Sequence, residues 1–200
     1  MNKNFFFSLL LLMLGLTSCS MFSPVKLDTQ HKYVLDSLPN PEIKKSGRHS
    51  TLLVAQPETN SIYRTTQMAY TVARYQVGYF AENSWAERPG DMLQPLITET
   101  LQNTRHYHAV LMPSTLGKYD YILNTQIQTL LQDYTHMPAT LEMTLRAEIV
   151  RAATNRVIAT KQFTVIEIIP QRTPYSGVAA ANRATASILR QLAQFCLRST

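Results

Sequence analysis

The longest regular pattern in the chain is an alternation of period two. Tyr119, Tyr121, Leu123, Ile127 and Leu131 alternate with Asp120, Asn124, Gln126, Gln128 and Gln132. Leu141, Met143, Leu145, Ala147 and Ile149 alternate in the same way with Thr140, Glu142, Thr144, Arg146 and Glu148. Successive side chains of a strand point to opposite faces, so the pattern predicts two long strands with one face buried and one wet. Ala153-Thr154-Asn155-Arg156 supplies a turn, with Asn155 suited to the left-handed position, into a third strand from Val157 to Ile169. The phase of that strand slips near Val165-Ile166, which predicts a bulge or burial on both faces.

Shorter strands are expected earlier. Lys32 to Leu38 ends at Pro39 and Pro41, Thr51 to Gln56 stops at Pro57, and His106 to Met112 is a third short run. Gln67 to Val72 and Tyr75 to Phe80 both alternate and read as a hairpin turning at Ala73-Arg74. Ile43 to Ser50 is a basic, turn-rich loop. Two helices complete the set. Asp91 with Gln94 three residues on has the spacing of a capping box, and Met92, Leu93, Leu96, Ile97 and Leu101 share one helical face, which predicts a helix over Asp91–Asn103 with Pro95 in its first turn. Gly177 to Leu197 carries an apolar stripe of Val178, Ala181, Ile188, Leu189, Leu192 and Phe195. These elements predict a single α+β domain: a mostly antiparallel sheet with helices packed on one face.

The N-terminus follows different rules. Behind Lys3, Phe5 to Leu16 is apolar but too short to span a bilayer, which takes about 20 residues, and has the length of a signal-peptide core. Leu16-Thr17-Ser18-Cys19 resembles the bacterial lipobox. That resemblance implies cleavage before Cys19, a diacylglyceryl group on its thiol and a fatty acid such as palmitate on its new amine. An ordinary secretory signal with an incidental cysteine is the alternative. The chain thus divides into a signal peptide (1–18), a lipidated linker (19–31) and a domain (32–200). Two or three acyl chains hold a protein stably on a membrane. Ser20 is not the Asp that retains Gram-negative lipoproteins at the inner membrane, so the analogy points to the periplasmic face of the outer membrane.

Composition narrows the classes. With 45% hydrophobic and 16% charged residues, ten Tyr and seven Phe, the chain is expected to fold, and two Cys exclude a disulfide scaffold. The formal charge is +6, or +5 once Lys3 leaves, but no basic run exceeds Lys44-Lys45, so no stripe exists for nucleic acid. With Cys19 in a thioether, Cys196 has no intramolecular partner. It is then either a small hydrophobe on the last helix or a reactive thiol. No G-x-S-x-G occurs, and His31, His49, His106, His108 and His136 belong to no catalytic motif. His106-x-His108 would turn two rings to one side of a strand, half of a metal site at a spacing common in strands. The expectation is a protein that is not an enzyme and takes no cofactor or metal. Tyr63, Tyr70, Tyr75, Tyr79, Phe80 and Trp85 form the richest aromatic stretch. They either pack beneath the helices or offer a surface to lipid or a partner.

Several segments in order resemble the ABC-type transport auxiliary lipoproteins, the PqiC-like group of intermembrane transport: Gln67-Met68-Ala69-Tyr70, Trp85 with Pro89 and Met92-Leu93, Tyr119-Asp120-Tyr121-Ile122-Leu123, Phe163, and Gly177-Val178-Ala179-Ala180-Ala181-Asn182-Arg183-Ala184. The likeness runs from Tyr33 to about Phe195. It implies a non-enzymatic envelope component that accompanies an inner-membrane permease, its ATPase and an MCE-domain protein bridging the periplasm, which carries phospholipid or other hydrophobic molecules. A ring of copies around that conduit is compatible with it. The resemblance carries over no functional residue except Cys19, and Lys118 in Leu116-Gly117-Lys118 departs from the pattern without consequence. A structural envelope lipoprotein, or a periplasmic hydrolase lacking a recognisable motif, are the alternatives.

Overall fold

A computed structural model describes residues 30–40, 50–115 and 117–200. The signal segment, Cys19, most of the 19–31 linker, Leu116 and nearly all of the basic loop lie outside the described residues. The elements are β1 (His31–Tyr33), β2 (Thr51–Val54), β3 (Glu58–Thr59), a 3-10 turn (Ser61–Tyr63), β4 (Gln67–Thr71), β5 (Gly78–Trp85), α1 (Pro89–Asn103), β6 (Ala109–Leu111), β7 (Tyr121–Asp133), β8 (Ala139–Arg151), β9 (Arg156–Ile169) and α2 (Pro174–Ser199).

The three strands with the clearest alternation, β7, β8 and β9, form an antiparallel meander. The other edge of β7 receives β2, β3 and β4 one after another, each parallel to it. β6 adds beyond β2, and β5 then β1 add beyond β4. The α+β class and the single domain are as expected. The sheet is mixed: among the described residues five strand pairings are parallel and three antiparallel, although the antiparallel ladders are the long ones. Each parallel pairing includes a strand of only two to five residues, too short to leave a period in the sequence.

Two phase changes revise the expected faces. The β7–β8 ladder shifts register between Ile127 and Thr129, so Leu123 and Ile127 face the core but Leu130 and Gln132 follow them inward; Leu131 turns to the other face, and Tyr119 stays exposed before the strand begins. In β9 the irregularity lies opposite Ile149 and Val150, not at Val165-Ile166. Ile166 and Ile168 are exposed on the uncovered face of this edge strand, so the doubled apolar pattern does not mean burial on both sides. Asn155 takes the expected positive φ, 50°.

Element ends also shift. The hairpin exists, but its second strand starts at Gly78 instead of Tyr75, leaving Val72–Val77 as its connection. α1 begins at Pro89, whose fixed φ suits a first helical position, and its N-cap is Arg88. Asp91 therefore sits in the first turn instead of capping it; there its carboxylate accepts from Arg88 Nε at 2.7 Å and from Gln56 Nε2 at 2.8 Å. Pro174 starts α2, capped by Thr173, whose hydroxyl oxygen accepts from the Ser176 N–H at 3.2 Å.

Both helices cover the same sheet face. α2 lays Val178, Ala181, Ile188, Leu189 and Leu192 against β8 and β9, with Phe195 and Phe163 meeting at 5.9 Å between ring centroids. α1 sets Leu93, Ile97 and Leu101 beside it over β2 and β6. The small residues Gly177, Ala180, Ala181 and Ala184 let α2 approach closely. At Gly177 a Cβ would collide with the buried Gln132 amide, whose oxygen accepts the Tyr134 hydroxyl at 2.7 Å. Gly177→Ala is therefore expected to destabilise the fold by about 1–3 kcal/mol through overpacking. Urea unfolding followed by circular dichroism checks this; an unchanged midpoint would mean that Gln132 moves aside freely.

Candidate functional site

The hairpin β4–β5 carries most of the aromatic cluster, and strand alternation divides it. Trp85 and Tyr63 are buried in the core. Tyr70 and Phe80 are partly buried, with ring centroids 4.5 Å apart, and both approach Tyr134 edge-on, at 6.4 and 6.5 Å. Tyr63, Tyr70, Phe80 and Trp85 thus serve packing. Tyr79 lies at the exposed margin, its hydroxyl donating to Ile62 O at 3.0 Å, and Tyr75 stands in solvent at the hairpin tip. The six residues do not make one continuous surface. Burial first, and then the Glu142 carboxylate, push the Tyr63 phenol above its ordinary value.

Asn182 on α2 has a role that spacing did not reveal. Its Oδ1 accepts from the N–H groups of Asp36 at 2.9 Å and Ser37 at 3.2 Å. Its Nδ2 donates to Val34 O at 3.0 Å and to Val178 O at 3.2 Å. Both donors and both acceptor positions of the amide are used. The clamp fastens the arm just after β1 to the helix that covers the sheet, and Leu35 beside it is buried. Next to the clamp, Tyr33, Asp36, Tyr175 and Arg183 line an open cleft of about 520 Å³, and Arg183 is fixed by Glu167 at 2.9 Å and Ile168 O at 2.8 Å. No local pattern marks Asn182; only its place within the Gly177–Ala184 segment singled it out.

Asp120 plays a comparable part at the opposite end. Its carboxylate accepts from Thr51 N at 2.7 Å, its N–H donates to Thr51 O at 2.9 Å, and its carbonyl accepts from Ala152 N at 2.9 Å. The Tyr119-Asp120-Tyr121 segment thereby ties β2 to β7 and to the β8–β9 turn.

The histidine pair is not on a strand. β6 starts only at Ala109; His106 is buried ahead of it, and His108 is exposed with its N–H donating to Ser50 O at 3.0 Å. The two rings therefore do not share a strand face. Among the described residues no three His, Cys, Asp or Glu side chains converge as metal ligands, and no described helix is long and apolar enough to cross a membrane.

Cys196 is wholly buried on α2, and burial pushes its thiol up from 9.0 to about 12. It packs as a small hydrophobe. Because the folded state holds the proton more tightly, this contribution to stability is fully present below pH 9.0 and is lost as pH rises from there toward about 12. The thiol is expected to ignore a disulfide reagent in native protein near neutral pH and to react fully in denaturant; rapid native reaction would contradict its burial. Asn182→Ala is expected to cost about 1–3 kcal/mol and to speed hydrogen exchange at the Asp36 and Ser37 amides, leaving exchange in β8 unchanged after correction for global stability.

A profile for the family described as "ABC-type transport auxiliary lipoprotein component" matches residues 33–193. No curated protein matches the chain. The fold is similar to that of protein XCC0632 from Xanthomonas campestris, of the DUF330 family, with a TM-score of 0.75 at 20% identity over 86% of this chain and 95% of that one. An uncharacterized protein of known structure gives 0.68 at 13% identity, covering 84% and 99%. Hypothetical protein CT253 from Chlamydia trachomatis gives 0.52 at 6% identity, covering 76% and 98%. At these identities the likeness speaks for the fold alone. The profile spans the sheet from the end of β1 and most of α2, including the Asn182 clamp and the Asp120 tie, and the chain belongs to the ABC-type transport auxiliary lipoprotein family.

Proposed function

We propose that the protein is a lipid-anchored accessory subunit at the periplasmic face of the outer membrane, serving an MCE/ABC-type intermembrane lipid transport system. It works by binding and docking, with no chemical step. Its partner is an MCE-domain protein that spans the periplasm, coupled to an inner-membrane permease and ATPase, and several copies arranged about the conduit's end are compatible with this role. One observation carries the reading: the family match covers the domain from Tyr33 to Ala193, and Leu16-Thr17-Ser18-Cys19, which resembles a lipobox, precedes it. The Asn182 clamp supports it, because a pull on the linker is transmitted to the α2-covered core and not to a loose strand. Of the six clustered aromatic residues, Tyr75 and Tyr79 are the ones left exposed for contact.

Crosslinking in intact envelopes followed by purification is expected to recover the MCE-domain protein with the native chain. Cys19→Ala is expected to yield a folded, unlipidated domain that no longer fractionates with the outer membrane and fails to complement a deletion. Full complementation by a soluble Cys19→Ala protein would sink the anchored role.

A further inference from the structure

At the end of the sheet where β4, β7 and β9 finish, three connections meet around Tyr134. The Tyr134 N–H donates to Thr71 O at 2.9 Å, and its hydroxyl reaches Thr173 O at 3.3 Å. Arg172 lies 5.1 Å from its ring centroid and donates to its carbonyl at 2.8 Å. This braced rim turns apolar side chains outward. From the β4–β5 connection Val72 is 52% exposed, Tyr75 97% and Val77 41%; from the β7–β8 connection Met137 is 78% exposed. Arg74 sits 5.3 Å from the Tyr75 ring centroid, so a second cation stands among them. Asp133, at the end of β7, accepts from the Thr135 hydroxyl at 2.6 Å and lies 3.7 Å from His136 Nδ1. Tyr75 also has φ 66°, an unusual backbone for a bulky residue, and yet its ring is almost wholly in solvent. A strained aromatic that contributes little to packing in the free domain points to a function outside it.

β1 runs parallel to β5, away from the rim: His31 pairs with Asn83, five residues along from Gly78, where β5 leaves the rim. That is roughly 17 Å at strand spacing. The described chain therefore enters β1 heading away from the rim. Cys19 lies twelve residues earlier, a span that reaches at most about 40 Å when extended. A bilayer holding acylated Cys19 is within reach of the rim. We infer that the rim is a membrane-contact surface, with Val72, Tyr75, Val77 and Met137 seated at the boundary between headgroups and acyl chains and Arg74 and Arg172 against phospholipid phosphates. Tyrosine suits such a boundary, having an apolar body and a polar tip, and the two cations complement the phosphates. The inference rests on the lipid-anchored reading and adds to it an orientation: the rim toward the bilayer, and the Asp120 end toward the periplasm.

Full-length lipidated protein carrying Tyr75→Trp or Met137→Trp is reconstituted into phosphatidylethanolamine and phosphatidylglycerol vesicles with brominated acyl chains. Trp85 is the chain's one native tryptophan and is buried, so it is a fixed reference. The added indole is expected to shift to the blue and to lose most of its emission, whereas the native protein and Tyr119→Trp, at the opposite end, keep theirs. Flotation of the same samples reads the anchor independently. Rim indoles that stay bright in protein that floats overturn the inference and leave the anchor intact. Protein that does not float overturns the anchored reading, and the inference with it. Equal quenching at Tyr119→Trp, or a rim that crosslinks to a second copy or another protein while shielded from lipid, also overturns it.

Discussion

Strand β7 is hydrogen-bonded along both edges, and the remaining architecture depends on it. A strand buried within a sheet must pair its N–H and C=O groups, because an unpaired one costs as much as a lost hydrogen bond. On one edge a single long partner, β8, meets this demand with an antiparallel ladder. On the other, β2, β3 and β4 divide the length of β7 among them. None of these strands exceeds five residues, and such pieces are marginal by themselves. Docked on β7 they become parts of one sheet and bring β6, β5 and β1 with them.

The helices follow from the same arrangement. The inner face of β7 and β8, with Leu123, Ile127, Leu141, Met143, Leu145 and Ile149, is apolar enough to require a cover, and α1 and α2 supply it side by side. The alanines of α2 bring it close, and its flank then presents Asn182 to the arm that leads back toward the linker. Hydrogen bonds to Asn182 join this arm to the longest helix and so to the core.

The sheet's second face and the rim around Tyr134 are shaped differently from the core. The second face is largely polar, with Gln126, Arg146 and Glu148 around an open concavity of about 390 Å³. The rim is apolar and cationic. The polar face is built by the strands β7 and β8, and the rim by the connections around Tyr134.

Periodicity was enough to specify β7, β8, β9 and both helices, because each pattern relates residues two to four apart and needs nothing from the rest of the chain. The resemblance of Leu16-Thr17-Ser18-Cys19 to a lipobox is local in the same way. Asn155 at its turn and Cys196 as a buried hydrophobe were within reach of local chemistry as well. The parallel pairing of the short strands on β7 was not, nor was which of the six clustered aromatics turn inward. Asn182 meets residues some 145 positions away, and Tyr134 joins connections from three parts of the chain. Such contacts exist only once distant segments share space, so composition and spacing, which are properties of neighbours, carry no trace of them.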